Sequence, residues 1–287
     1  MIYLFISPFF ILFIIFQFFP LLWSFWLSFH EWNGLGPVEP VGLRNYRFLL
    51  RDSMFLAALG NTTVYWLANV ALIVPLALFI ASLLNNTWLR AKAAYRTIMF
   101  LPYVTATVAV GLVFIMMFDF NSGIFNHFLI SMGLTPQRWL NSVELSKIPI
   151  IVLSVWRVTP FFALIILSGM QAINPELYEA AKVDGANGMQ RFLSITIPSL
   201  APILFFCIIT ISIDSFRIFT EPQILTQGGP GNSSLSLVQY LYINGFRLFK
   251  LGLASTVGWA LTFILLLVSA AQIYLLRRQG GLMEANS

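Results

Sequence analysis

Six polar residues stand inside or beside otherwise apolar stretches: Asn69, Arg157, Asp214, Ser215, Arg217 and Glu221. An ionisable side chain in hydrocarbon costs about 2.5–3.5 kcal/mol on insertion, so such residues face a cavity or a partner. Asp214 and Arg217 are three apart and on a helix can pair with each other. Alternatively, they line a pathway with Asn69, Arg157, Ser215 and Glu221, offering hydrogen bonds to a hydroxyl-rich solute. Tyr65 and Trp66 can stack on the face of a solute ring, although most rings of a chain that is 16% aromatic belong to interface or core. Bond-making chemistry is not encoded. There is no Gly-rich phosphate loop ending in Gly-Lys-Ser/Thr, so ATP hydrolysis is not expected of this chain. His30 and His127 lie far apart without a cysteine or carboxylate cluster to complete a metal site. Asp214 has no aspartate partner in another span, so no catalytic residues, cofactor or metal are expected.

A second group of residues points to docking. Between two apolar spans runs a polar stretch, Glu179 to Pro198, preceded by Asn174-Pro175-Glu176. Asn174 suits a helix N-cap, Pro175 the first helical position, and Glu176 the positive end of the helix dipole. Gly185 supplies a stop about ten residues later, because glycine takes the left-handed conformation that closes a helix. Leu177, Ala180 and Ala181 share one face, and the two alanines keep it shallow enough for close approach by another surface. A helix lying on lipid carries basic and bulky apolar residues. This one carries Glu176, Glu179 and Asp184 against Lys182, which favours protein docking.

The elements that must position these residues are membrane spans. With 59% hydrophobic and 9% charged residues among 287, the chain is far from the roughly 25% charged content of a soluble domain. Apolar windows of the roughly 20 residues that cross a bilayer fall near 3–29, 61–84, 98–118, 148–170, 198–220 and 254–276. No period-2 alternation suggests a barrel, so an all-α integral membrane protein of about six helices is expected. The first window carries no charge from Ile2 to Phe29 and is too long for a signal peptide, so it is expected to remain as a helix with little tail before it. Pro75, Pro102, Pro160 and Pro202 are expected to kink or end helices. No loop exceeds about 35 residues, and a single transmembrane domain over 1–287, with its polar loop at about 171–197, is the simplest division.

Net charge is +5, but the basic residues are scattered over the loops without a stripe, so nucleic acid is not an expected partner. Six spans put both termini on one side. Arg90, Lys92, Arg96, Lys182, Arg191, Arg277 and Arg278 fall on the side of the 179–198 loop, and Arg44, Arg47, Arg51, Arg138, Lys147, Arg247 and Lys250 on the other. Only the concentration of Arg90, Lys92 and Arg96 in one short loop leans toward a cytoplasmic 179–198 loop. Cys207 stands alone, so disulfides give no clue to compartment.

The spacing of Glu179, Ala180, Ala181, Gly185, Ile195, Ile197 and Pro198 resembles the EAA motif of binding-protein-dependent ABC importer permeases, with Ile197 where the motif has leucine. The resemblance extends to the carbohydrate-type branch over almost the whole chain. It is carried by Pro8, Pro20 and Leu27-Ser28-Phe29, by Asn45-Tyr46, Asn61-Thr62 and Leu101-Pro102, and by Thr226 with Gly228-Gly229-Pro230. Gln227 stands where that element usually has a further glycine.

That resemblance implies a type I ABC importer permease fold, with a cytoplasmic coupling helix between helices 4 and 5, in a bacterial inner membrane. It also implies the partners: two ATPase subunits that bind ATP and Mg, a second permease that usually makes a heterodimer, and an extracytoplasmic solute-binding protein. Glu179, Ala180, Ala181, Asp184 and Gly185 would be the ATPase contact, and a sugar-like solute the cargo. The alternative is a secondary transporter or channel for a small polar solute, which needs no acidic docking loop.

Overall fold

The computed structural model describes residues 2–86 and 91–278. Arg90, counted above for orientation, lies outside them.

The first span joins α1 (Ile2–Phe13) through a π turn at Ile14–Phe18 to α2 (Phe19–Leu27). None of its apolar window is buried, as suits a helix largely facing lipid, and its C-terminal end leans on the last long helix through Phe25 and Trp259. A short hairpin follows, β1 (His30–Glu31) antiparallel to β2 (Glu39–Pro40), with His30 opposite Pro40. Next come α3 (Arg44–Leu49) and α4 (Ser53–Asn85), whose N-cap Asp52 accepts a hydrogen bond from the Met54 amide.

The third apolar window is two helices, α5 (Lys92–Val104) and α6 (Thr107–Met117), bent by 90° at Thr105–Ala106. Both break residues are extended, and Pro102 lies two residues before the end of α5. A proline removes an amide donor and crowds the preceding turn, which explains why the straight span expected at 98–118 is broken. Pro75 and Pro160 do not end their helices: α4 and α8 (Lys147–Ala172) run through them. These two helices make the most extensive contact of the fold, and their packing holds the chain helical on either side of each ring. Between α6 and α8 lies the short α7 (Ile124–Ser131).

After α8 come α9 (Pro175–Val183), α10 (Gly188–Arg191), a π turn at Phe192–Thr196, α11 (Ile197–Ser199) and α12 (Ala201–Phe216). The segment between the spans Lys147–Ala172 and Ala201–Leu225 thus carries short helices of its own. Residues 188–197 are helical lead-in to α12, started by a capping box in which Asn187 and Gln190 exchange side-chain to backbone hydrogen bonds. Pro202 sits in the first turn of α12, where its missing amide costs nothing. The chain ends in α13 (Thr220–Leu225), α14 (Leu237–Tyr242), a π turn at Ile243–Arg247 and α15 (Leu251–Arg278). Among the described residues, five helical stretches are long and apolar enough to cross a membrane, or six if the bent pair is one span.

Burial follows this plan. The largest buried cluster lies where α4, α8 and α12 meet, around Ile73, Ala77, Phe162, Ile166 and Ile211. Small residues permit the approach: a Cβ added at Gly169 would lie 2.2 Å from the Ile203 side chain. A second cluster seats α14 and α15 against α4 through Phe55, Tyr240 and Val257.

Candidate functional site

Asn69, Arg157, Asp214, Ser215, Arg217 and Glu221 all line one cavity of about 400 Å³. Residues distant in the chain meet there because α4, α8, α12 and α13 converge. Arg157, on α8, donates from Nη2 to Glu221 Oε1 at 2.8 Å, and Glu221 is 6% exposed. Removing one member of this partly buried pair leaves the other charge in the cavity wall without its counter-charge. Asn69, only 2% exposed, donates to Ser215 Oγ at 3.0 Å. The pairing of Asp214 with Arg217 does not form: among the described residues the cavity's ion pair is Arg157–Glu221. Both Asp214 and Arg217 are exposed to the cavity, and Asp214 lies in the fields of Arg217 and Arg157. The C-terminal end of α12 at Phe216 separates their backbones into helix and cap, which relaxes the spacing that a continuous helix would impose.

Tyr65 and Trp66 are not stacking platforms. The Tyr65 ring is fully buried and its hydroxyl donates to the Ser234 carbonyl at 2.8 Å. Trp66 donates from Nε1 to Ser212 Oγ at 2.7 Å and packs on Phe216. Tyr103 and Phe161 line the cavity instead, their rings stacked at 4.6 Å between centroids and 10° between planes. Phe161 was legible as the residue one turn after Arg157 on the same helix face. Tyr103 had no such signal, because only the bend after α5 brings it to the cavity. Ser154, Phe219 and Thr220 complete the polar and aromatic rim.

The wall below α13 is held by the segment that follows it. Asn61 donates to the carbonyls of Asn232 and Leu235 at 2.8 and 3.0 Å, Thr62 Oγ1 accepts from the Leu237 amide, and Ser146 and Ser233 share a hydrogen bond. Helix α4 and the start of α8 thus fix the 226–236 loop, which would otherwise bury unpaired backbone groups. A larger groove of about 610 Å³, lined by Glu31, Trp32, Glu39, Arg44 and Phe249, lies by the hairpin at the opposite end of the spans from α9.

The polar helix α9 carries the second group of candidates. Asn174 caps it, accepting from the Glu176 amide at 3.0 Å, with Pro175 in its first turn. It ends in a Schellman motif: the Ala186 amide donates to the Ala181 carbonyl at 2.9 Å and the Gly185 amide to Lys182 at 3.1 Å. Gly185 has φ +78°, which only glycine adopts at little cost. Tyr178 and Thr196 share a hydrogen bond of 2.9 Å that ties α9 to the lead-in of α12. Glu179, Ala180, Asp184 and Gly185 are exposed, Ala181 is half-buried, and Val183 is 88% exposed. The arrangement is an acidic, solvent-facing ledge tied to the rest of the fold through Tyr178.

Residues 73–279 match the family described as binding-protein-dependent transport system inner membrane component. The chain is 34% identical over 275 residues to the arabinooligosaccharides transport system permease protein AraP of Bacillus subtilis, covering 95% of this chain and 87% of that protein. It is 35% identical over 266 residues to the trehalose/maltose transport system permease protein MalF of Thermococcus litoralis, covering 92% and 89%. The lactose transport system permease protein LacF of Rhizobium radiobacter is 34% identical, with 96% and 94% covered. Its fold is similar to that in the crystal structure of a bacterial ABC transporter that imports alginate, with a TM-score of 0.84 at 22% identity over 96% of this chain and 95% of that one. The broken third span, the acidic helix between long spans and the polar cavity therefore belong to a multi-pass, non-catalytic permease subunit, and the chain is a member of the binding-protein-dependent inner membrane components of ABC transporters.

Proposed function

We propose that the protein, as a single transmembrane permease domain over 1–287, forms half of the membrane pathway for a sugar or sugar-like solute. The relatives named for arabinooligosaccharide, trehalose/maltose and lactose systems support that cargo. Two ATPase subunits supply the energy, a second, non-identical permease supplies the other half, and an extracytoplasmic binding protein delivers the solute. In a bacterial inner membrane α9 faces the cytoplasm, where Glu179, Ala180, Ala181, Asp184 and Gly185 meet an ATPase.

The observation that carries this reading is one of connection. Helix α8 holds Arg157 and ends at Ala172, just before α9; α12 holds Asp214 and Ser215 and begins just after its lead-in. A displacement of α9 is transmitted directly to two walls of the cavity. ATP-driven closure of the ATPases moves α9, and the helices attached to it alternate the cavity between the two sides of the membrane. The cavity's donors and acceptors meet solute hydroxyls, and the Tyr103–Phe161 stack offers an aromatic wall to the C–H face of a sugar ring.

Glu179→Lys tests the docking role. It should abolish uptake and the stimulation of ATP hydrolysis by loaded binding protein, while membrane insertion stays intact. Normal uptake by that variant would remove α9 from the ATPase interface.

A further inference from the structure

Two residues that line the cavity each carry a buried polar atom without a hydrogen-bond partner among the described residues, Asn69 Oδ1 and Arg157 Nε. One accepts and the other donates, and the two side chains reach the cavity lining from α4 and α8. A sugar hydroxyl does both at once, accepting through its oxygen and donating its proton. A buried polar atom left unpaired is costly, so the pair is complementary to a hydroxyl. A carboxylate, acceptor-only when ionised, satisfies Arg157 Nε but leaves Asn69 Oδ1 facing another acceptor.

Charge points the same way. Arg157 gives Nη2 to Glu221, so its positive charge is neutralised at the cavity wall. The remaining cation, Arg217, shares the cavity with Asp214. The two arginines and two carboxylates balance, and no net positive field is left to draw an anion into a low-dielectric site.

We propose that Glu221 is a charge mask that sets this cavity to accept uncharged, polyhydroxylated solutes and to disfavour saccharides bearing a carboxylate. The inference rests on the cavity being the solute route. Replacing Glu221 by glutamine keeps an oxygen for Arg157 to donate to but removes the counter-charge. The guanidinium charge then becomes available to a bound anion.

The complete transporter is purified in lipid nanodiscs without its binding protein, so that the binding protein's own selectivity does not enter. Saturation-transfer NMR follows competition between maltose and a disaccharide of the same size with a C6 carboxylate on one ring. The wild type should prefer the neutral probe. Glu221→Gln should shift the ratio toward the acidic probe by about tenfold, or about 1.4 kcal/mol, and a further Arg157→Gln should return it. A wild type that binds both probes equally, or a ratio unmoved by Glu221→Gln, overturns the mask while leaving the cavity as the solute site. Failure of both probes to bind any variant overturns the cavity as solute site, and the mask with it. Loss of the assembled complex in Glu221→Gln is met by reading Arg157→Gln/Glu221→Gln against the wild type. The mask then requires that this neutralised cavity keep the neutral preference, and preference for the acidic probe overturns it.

Discussion

Gly185 provides a direct test of the proposal that the shape of α9 governs coupling. Its φ of +78° places it in the left-handed region, and no atom lies within 4 Å of where a Cβ would stand. Gly185→Ala therefore meets no steric neighbour, and its entire cost is conformational, about 1–2 kcal/mol for a residue with a Cβ in this region. Helix α9 has only nine residues, too few to be stable in isolation. A loss of 1–2 kcal/mol lowers the ratio of capped to frayed helix by a factor of about 5–30. The two bonds at risk are Ala186 to Ala181 and Gly185 to Lys182. Hydrogen exchange of those two amides should accelerate by that factor, and the stimulation of ATP hydrolysis by loaded binding protein should fall with it. Gly185→Asn, whose side chain tolerates the left-handed region, should lose less than Gly185→Ala on both measures. Equal behaviour of the alanine and asparagine variants, or unchanged exchange in both, would refute the claim that backbone conformation at Gly185 holds the docking ledge in shape.

Asn61→Ala removes both donors that hold the carbonyls of Asn232 and Leu235; the Asn232 carbonyl keeps the Leu235 amide, but the buried Leu235 carbonyl loses the Asn61 donor at a cost of about 1–3 kcal/mol, and thermal unfolding in detergent should shift to lower temperature, whereas an unchanged midpoint would mean the 226–236 loop is held by other contacts. Asp119, just beyond the end of α6, accepts from the backbone amide and hydroxyl of Ser122 and from the Asn121 amide, and these bonds hold its carboxyl below the usual carboxylate range. Because the folded value is depressed, the stabilisation of this turn is present above the ordinary carboxylate pKa and is lost as pH falls through the lower, folded value. Local exchange at Ser122 should rise only in that acid range, and a turn that loosens near neutral pH would contradict the assignment.

Periodicity and caps made α9 legible before any coordinates: Asn174, Pro175 and Gly185 are local instructions, acting within a few residues, and the helix starts and stops where they stand. The apolar windows likewise located the long spans, because hydrocarbon thickness sets their length whatever their neighbours. Hydropathy could not reveal the 90° break in the third window, since both arms are apolar and the turn depends on two extended residues. The polar residues of the cavity were visible as costly exceptions in apolar sequence, but their partners were not. Spacing brought Asp214 and Arg217 together, whereas the packing of α8 against α13 gave Arg157 to Glu221. Sequence likewise offered Tyr65 and Trp66 as sugar platforms, and tertiary packing buried the first and bonded the second to Ser212, leaving Tyr103 and Phe161 at the cavity. The sequence by itself determined what depends on neighbours along the chain: membrane residence, helix ends and the spacing of the motif from Glu179 to Pro198. Pairing across helices was decided only by the tertiary structure, because an ion pair or a ring stack depends on distances between residues that the chain separates and only packing can close.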